Sequence, residues 1–394
     1  MSRLDILAVL RAPLENYPPS LNQMQILAEQ GRNLVVIDVA PEDEEAHGFW
    51  SYPGVQRIRV GRQGSKHSLP RRIAETLRFS WAVRRAIRSH RPRIVIAYDP
   101  YAMMAAGLPD AFNVWHFHEL VDPHAQGGLL TRRAIGVACR DAARADMVIF
   151  PDAGRADAFH RIIGKRIEAQ VVFNCPRRLE TPPADSLHPA LADREIKVAG
   201  PIVLFQGWIG PSRCVEAVIR SMTVWPLDAS LVLIGPVKDA YRAELVALAS
   251  AQGVAERVIF LGRIPYADLL GYTAGADVGL AIVSEHAENN RSWAHTAGAV
   301  NKRFEYMAVG LPQIANRGSG MKALIENTGA GILVDSEKPE EIGQAIARLL
   351  ADPSAAAAMG ARARQVHLDR FCYEKEFEPV LQRFDAVLQG ACAQ

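Results

Sequence analysis

The sequence predicts an α/β protein made of two Rossmann-like, doubly wound domains in tandem, and three observations carry this. The chain has 394 residues, too many for one ordinary core and enough for two domains of about 150–200 residues each. Short, almost continuous apolar runs alternate with helix-patterned segments along both halves, as parallel strands covered by helices on both faces require. Between the halves lies LETPPADSLHPALADREIKVAG, rich in proline and charge and without strong periodicity. It reads as a linker. The expected division is a first domain over 1–178, a linker over 179–200, a second domain over 201–372 and a closing segment over 373–394.

Taken in order, LDILAVL (4–10) is an apolar strand, and SLNQMQILAEQG (20–31) has helical spacing and a terminal glycine. NLVVIDV (33–39) and VQRIRV (55–60) are strands, a long helix follows over 71–89, and PRIVIAY (92–98), NVWHF (113–117), ADMVIFP (145–151) and QVVFN (170–174) are strands again. The second half restarts with PIVLFQG (201–207), a helix to about Met222, strand 230–235, helix 240–253 and strands 257–262 and 278–283. NKRFEYMAVGLP (301–312) reads as a helix ended by Gly310, then come strand 312–316 and helices over 339–350, 355–368 and 373–389. Two such domains place ligands at the strand C-termini, in the cleft between them.

Composition narrows the classes. Hydrophobic residues make up 49% and charged residues 22%, which is globular rather than disordered. No apolar run approaches the roughly 20 residues of a membrane span, and MSRLDILAVLRAP lacks the apolar core and cleavage site of a signal peptide. The expectation is a cytoplasmic protein. The five cysteines include no C-x-x-C pair, so neither a disulfide framework nor a zinc site is expected. There is no D-x-D, and the histidines are scattered. No metal and no cofactor are expected.

Charge is uneven. Residues 1–178 carry 25 Lys and Arg against 18 Asp and Glu, whereas residues 179–394 carry 20 against 25. Residues 57–93 hold twelve Lys or Arg, Lys66 among them, against the single acid Glu75. Within helix 71–89, Ile73, Leu77, Trp81 and Ala82 share one stripe flanked by arginines. Such a helix from Arg71 to Arg93 either meets an anionic membrane surface or packs on the sheet through that stripe. No recognised module or aromatic platform supports a nucleic-acid partner.

Two segments carry chemistry. In FQGWIGPSRCVEAVIRSM (205–222) a buried strand ends at Gly207, a turn with Gly210, Pro211 and Ser212 follows, and helix pattern begins near Arg213. Backbone N–H groups at such a junction bind anions. A cation in the first helical turn opposes the dipole, and a bound diphosphate would reverse that cost; the alternative is a solvent-facing arginine. At the head of NKRFEYMAVGLP, Asn301 and Lys302 suit a phosphate, while Glu305 would repel it and suits hydrogen bonds from ribose hydroxyls. The alternative is a surface glutamate that complements the dipole.

The string FQGWIGPSRCVEAVI … LVLIG … RVIFLGRIPYADLLGYTAGADVGLAIV … NKRFEYMAVGLPQIAN … GAGILVD resembles the nucleotide-sugar-binding domain of retaining glycosyltransferases of family 4, in the bacterial branch with a P-N-K-x-F-E-Y-like segment. VWHFHEL, ADMVIFPDAGRADAF and VVFNCP extend the resemblance more loosely into the first half. It implies the B-type glycosyltransferase fold, two Rossmann-like domains facing across a cleft, with the last helix crossing back to the first domain. It also implies a metal-independent, retaining transfer from a UDP- or GDP-linked sugar to a glycan or lipid-linked acceptor in surface polysaccharide synthesis, at the inner face of the membrane. Arg213 then holds the donor diphosphate, above the loop of Gly207 and Trp208. Asn301 and Lys302 point at the phosphates and Glu305 holds the ribose. The base lies against Arg263 and Ile264 after Gly262, and His118 stands near the transferred sugar, with His116 and Glu119 on the same side.

The chain departs from the pattern at three places: Ala297 stands where many members have a second glutamate, Trp208 replaces an arginine, and Val300 replaces a proline. Glu285 and Glu288 lie on the same loop as Ala297 but out of register. A nucleotide-sugar 2-epimerase and a degenerate, non-catalytic nucleotide binder share the architecture and stay open as alternatives.

Overall fold

A computed structural model describes residues 3–42, 51–63, 68–121, 128–284, 297–318 and 320–390. The chain forms two compact units, Met1–Phe173 with Tyr373–Gln394, and Asn174–Cys372.

The first unit is built on strands β1 (Ile6–Val9), β2 (Leu34–Ala40), β3 (Val55–Arg62), β4 (Ile94–Ala97), β5 (Phe112–His116), β6 (Met147–Phe150) and β7 (Gln170–Val171). Their order is β3-β2-β1-β4-β5-β6-β7 and every pairing is parallel. In register, Ile6 stands between Leu34 and Ile94. β1, β2 and β4 are buried throughout, which is why they read as unbroken apolar runs. β3 is an edge strand and only partly buried, with Val60 buried and Gln56 and Arg62 exposed. Strand order reverses between β1 and β4, so the loops after these two strands flank the crevice where doubly wound sheets bind ligands.

Helix Leu69–His90 begins with Pro70 in its first turn and ends at Arg91, in the left-handed region at φ 45°. Its buried face is Thr76, Phe79, Val83 and Ala86. The stripe read as either a membrane face or a packing face is mostly exposed, with Leu77 65%, Trp81 57% and Ile73 38% exposed, and Leu69 beside it 61%. Only Ala82 of that stripe touches the core. The helix carries two apolar stripes, and Phe79 with Val83 wins the sheet.

Helix Tyr373–Leu388 closes the chain on this first unit. Gln23 Nε2 donates to Tyr373 Oη at 2.7 Å and Arg93 Nη2 to the Val387 carbonyl at 2.7 Å.

The second unit repeats the plan with β8 (Ile202–Gln206), β9 (Ser230–Ile234), β10 (Val258–Gly262), β11 (Val278–Ala281), β12 (Gln313–Asn316) and β13 (Gly331–Val334), in the order β10-β9-β8-β11-β12-β13. The reversal falls between β8 and β11. The stretch 179–200, expected as a linker, belongs to this unit and holds the helix Leu187–Asp193. Leu187 and Leu191 are buried and Ser186 N donates to the Gly271 carbonyl at 3.0 Å. Two apolar side chains four residues apart anchor it, too few to raise a periodicity in the sequence.

Candidate active site

Each unit gathers buried polar side chains at the C-terminal ends of its central strands. In the second unit β8 runs into Gly207, whose N–H donates to the Ile234 carbonyl at 2.9 Å. Gly235 lies so close that a Cβ there would sit 1.9 Å from the Gly207 carbonyl oxygen, and its φ of +140° suits glycine alone. Trp208 folds its ring over Gly210, and Arg213 lies 5.7 Å from that ring's centroid.

Arg213 is not in the first turn of an α-helix, as its sequence position suggests. Pro211–Arg213 is a 3₁₀ turn, Cys214 takes a left-handed conformation at φ 53°, and the helix Val215–Ser221 starts after it. The helix dipole therefore opposes Arg213 less than expected. Ser284 N donates to the Ser212 carbonyl at 3.0 Å, joining this turn to the end of β11. The Cys214 thiol, 3.6 Å from Glu337 Oε1, is pushed up to about 12 by burial and by that carboxylate. It is no nucleophile near neutral pH.

Helix Asn301–Val309 has no side-chain N-cap and ends at Gly310, left-handed at φ 75°. Tyr306 fixes its depth by reaching the Leu204 carbonyl at 3.3 Å and the Leu280 carbonyl at 3.2 Å. Asn301 is half-buried at its head. Lys302 is buried, and its Nζ lies 3.4 Å from the centroid of the Phe205 ring, with no hydrogen-bond partner among the described residues. Burial, then the charges of Arg213 and Arg303, hold its pKa well below the usual lysine range.

Glu305 is also buried, so it is not a surface residue complementing the dipole. Its Oε2 accepts from Gln206 Nε2 at 2.6 Å, and Thr273 Oγ1 donates to Gln206 Oε1 at 2.8 Å, which orients the amide. Burial raises the carboxyl to about 7 against the opposing pull of Gln206 and Lys302. The folded protein thus holds a proton that the unfolded chain releases near 4.5. This contribution to stability is fully present below the unfolded value and is lost as pH rises through about 7. It is on the order of 3 kcal/mol at most. Melting temperature should therefore fall more steeply from pH 5 to 7.5 in the parent than in Glu305→Gln; parallel curves would show that Glu305 titrates normally.

In the first unit His116 and His118 lie at the end of β5, ring centroids 4.6 Å apart. His118 stacks between Tyr17, at 4.9 Å, and Tyr98, at 5.3 Å. Its Nε2 shares a hydrogen bond with Ser20 Oγ at 2.7 Å, and its Nδ1 is buried without a partner among the described residues. Burial, then Arg155, takes its pKa down to about 3; His116 is lowered by burial too. Both rings are neutral near pH 7 and can donate or accept hydrogen bonds but not carry a proton in reserve. Gln23 ties this cluster together, accepting from Tyr98 Oη at 2.6 Å and meeting His116 Nδ1 at 2.9 Å. Glu119 is half-exposed and lies 3.5 Å from Arg155.

The loop after β1, which leads to Tyr17, is tied down by a buried ion network at Glu15. Arg57 meets Glu15 at 2.7 and 2.8 Å and also pairs with Asp38, Arg59 meets Glu15 at 2.7 Å, and Asp38 accepts from Leu14 N at 3.2 Å.

Two family models match the chain: residues 21–175 match "Glycosyltransferase Family 4" and residues 200–352 match "Glycosyl transferases group 1". The chain belongs to the glycosyltransferases. Over 195 residues it is 31% identical to the D-inositol 3-phosphate glycosyltransferase of Segniliparus rotundus, covering 48% of this chain and 40% of that one. Over 144 residues it is 32% identical to the GDP-mannose-dependent alpha-(1-6)-phosphatidylinositol monomannoside mannosyltransferase of Mycolicibacterium smegmatis, covering 36% of each. The matched segments thus span less than half the length of these relatives. Sucrose-phosphate synthase from Thermosynechococcus elongatus superposes with a TM-score of 0.75 over 98% of this chain and 100% of that one, at 19% identity. That likeness shows the B-type glycosyltransferase fold of two Rossmann-like domains.

Of the glycosyltransferase's expected site residues, Gly207, Trp208, Arg213, Lys302 and Glu305 come together at the end of β8. Arg263 and Ile264 stand after β10, two strands away, and Arg263 is exposed. Glu285, Glu288, Lys66, Cys392 and the side chain of Ala297 lie outside the described residues. Among the described residues no three His, Cys, Asp or Glu side chains are grouped to hold a metal ion. Sequence reasoning missed Gln206, Thr273, Ser20, Gln23, Tyr17 and Tyr98. The one signal was Gln206 itself, an amide closing an otherwise apolar strand.

Proposed function

We propose that the protein moves a sugar from a nucleotide-diphosphate sugar, UDP- or GDP-linked, to a glycan or glycolipid acceptor, without a metal and with retention of configuration, in surface polysaccharide or glycolipid synthesis. The observation that carries this reading is Lys302. A buried ammonium without a hydrogen-bond partner among the described residues, beside a second cation and at an uncapped helix start, is a poor arrangement for the empty protein and a good one for a diphosphate. The names of the relatives, one of them GDP-mannose-dependent, agree with it.

In this reading Arg213 and Lys302 stabilise the charge that builds on the leaving diphosphate. Gly207 and Trp208 shape the loop beside it, Asn301 faces the phosphates, Glu305 holds the ribose, and Arg263 with Ile264 flank the base. The departing phosphate oxygen takes the acceptor proton, so no protein nucleophile is needed. His118, neutral and held by Ser20, orients a sugar or acceptor hydroxyl, with His116 and Glu119 on the same side. Arg213→Ala should reduce donor turnover by about 10²–10³. Unchanged turnover in the purified variant would remove Arg213 from the mechanism.

The acceptor side of this reading includes a peripheral membrane contact on the cytoplasmic face. No helix among the described residues is long and apolar enough to cross a membrane. Helix Leu69–His90, however, exposes Leu69, Ile73, Leu77 and Trp81 beside the exposed Arg71, Arg78, Arg84, Arg85 and Arg88. Apolar side chains flanked by cations suit an anionic interface, where each cation contributes about 1 kcal/mol. Binding to anionic vesicles should weaken with added salt and drop in Leu77→Glu. Vesicle binding that ignores both would sink this part of the reading.

A further inference from the structure

We infer that Gln23 is a positioning residue for the proposed sugar transfer, on which this inference rests: it holds His116 in the tautomer protonated at Nε2, so that the ring offers an N–H to a sugar hydroxyl. Gln23 lies on the helix Pro18–Glu29 after β1, and His116 ends β5, 93 positions further on. Both side chains are fully buried.

Counting donors and acceptors places the proton. A side-chain amide has two N–H donors and one carbonyl oxygen. Tyr98 Oη donates to Gln23 Oε1 at 2.6 Å, which turns Gln23 Nε2 toward Tyr373 Oη at 2.7 Å and His116 Nδ1 at 2.9 Å. Both amide N–H groups are then used. The opposite amide orientation would set the nitrogen against Tyr98 alone and strand one N–H in a buried place, a costlier fault than a carbonyl with a spare lone pair. Because Gln23 donates, His116 Nδ1 must accept, and the neutral imidazole carries its proton on Nε2. Burial keeps the ring neutral. The His116 Nε2 is itself buried and has no hydrogen-bond partner among the described residues. An N–H without an acceptor is unfavourable in the empty protein. It suits a ligand oxygen arriving at the strand end, where doubly wound sheets bind their ligands. His118 is not constrained in this way. Its hydrogen-bond partner, Ser20 Oγ, is a hydroxyl that donates or accepts equally well.

The test is nitrogen NMR of the full chain carrying isotope-labelled histidine, with the His116 signals identified by their loss in His116→Gln. In the parent, Nδ1 of His116 should resonate as a bare nitrogen and Nε2 as a protonated one. Gln23→Glu, at a pH where the new carboxyl is ionised, replaces the amide donors with an acceptor of the same size. A carboxylate at Nδ1 holds the proton there, so the tautomer should reverse, which a merely loosened core would not produce. Gln23→Met keeps the bulk without a strong partner and should give a mixture of both tautomers. Function is read with GDP-mannose and UDP-glucose as probes, as Kd and as nucleoside diphosphate released with water as acceptor. In Gln23→Glu, kcat/KM should fall about tenfold, the loss of one hydrogen bond, while GDP and UDP bind as to the parent. A fall carried by nucleotide-sugar Kd places the hydroxyl on the transferred sugar; a fall in kcat at unchanged Kd places it on the acceptor. A parent protonated at Nδ1, or a reversed tautomer with unchanged kcat/KM, would overturn the inference. If neither nucleotide sugars nor nucleoside diphosphates bind, the donor reading falls and the tautomer assignment stands on the spectrum.

Discussion

Lys302→Met is expected to melt at a higher temperature than the parent and to lose nucleoside-diphosphate binding. The two effects have opposite signs and one cause. The ammonium is buried against Phe205 with no hydrogen-bond acceptor among the described residues, and Arg213 and Arg303 add repulsion. The cation–π contact offsets only part of that desolvation. Methionine keeps the length and the packing while removing the charge, so a gain of about 0.5–2 kcal/mol is expected, the usual range for relieving an unfavourable native group. Transfer should fall by about 10²–10³, as when one transition-state donor is removed. Differential scanning fluorimetry with and without nucleoside diphosphate reads both at once. The parent should gain about 2.7 kcal/mol at a hundredfold excess of ligand over Kd, and the variant almost none. A variant that is destabilised yet binds normally would show that Lys302 is a structural residue.

Gly235→Ala should be the most damaging small substitution in the second unit. The new methyl would stand 1.9 Å from the Gly207 carbonyl oxygen, which is backbone and cannot swing aside, and the φ of +140° strains any side chain. Separating the loops also stretches the bonds from Gly207 N to the Ile234 carbonyl, 2.9 Å, and from Gly235 N to the Gly262 carbonyl, 2.8 Å. A loss of about 3 kcal/mol or more is expected, a large share of the roughly 5–15 kcal/mol that holds a domain. Urea unfolding measures it, and any folded fraction should have lost donor turnover because Gly207 neighbours Lys302. A midpoint within error of the parent would refute the close approach.

These effects also mark what a reader of the sequence could see. The central strands were legible because burial on both faces leaves unbroken apolar runs, as in Ile6–Val9 and Ile94–Ala97. Arg213, Lys302 and Glu305 were legible as charges set at strand-to-helix junctions. The exact onset of the helix after Arg213 was not, since Cys214 takes φ 53° without the glycine that usually announces such a turn. Helix Leu129–Asp141 passed unnoticed because only Ala134, Ile135, Ala138 and Asp141 are buried in a basic stretch. The choice between two apolar stripes on helix Leu69–His90 depended on tertiary packing that periodicity does not contain. The hydrogen-bond chain from Thr273 through Gln206 to Glu305 joins residues 67 and 99 positions apart, a distance over which local patterns carry no information.

Gln23 and Tyr373, hydrogen-bonded although 350 positions apart, set an order of events during synthesis. At roughly 5–20 residues per second a ribosome needs roughly 20–70 s to travel from one to the other. For that interval the first unit waits without its closing helix, and the side chains that later receive Tyr373, Phe377 and Phe384 are uncovered. The second unit, contiguous from Asn174 to Cys372, can meanwhile finish on its own. The domain that begins the chain is therefore the last to be completed. A nascent chain stalled before Tyr373 should give a protease-resistant second half and a first half that is still cleaved.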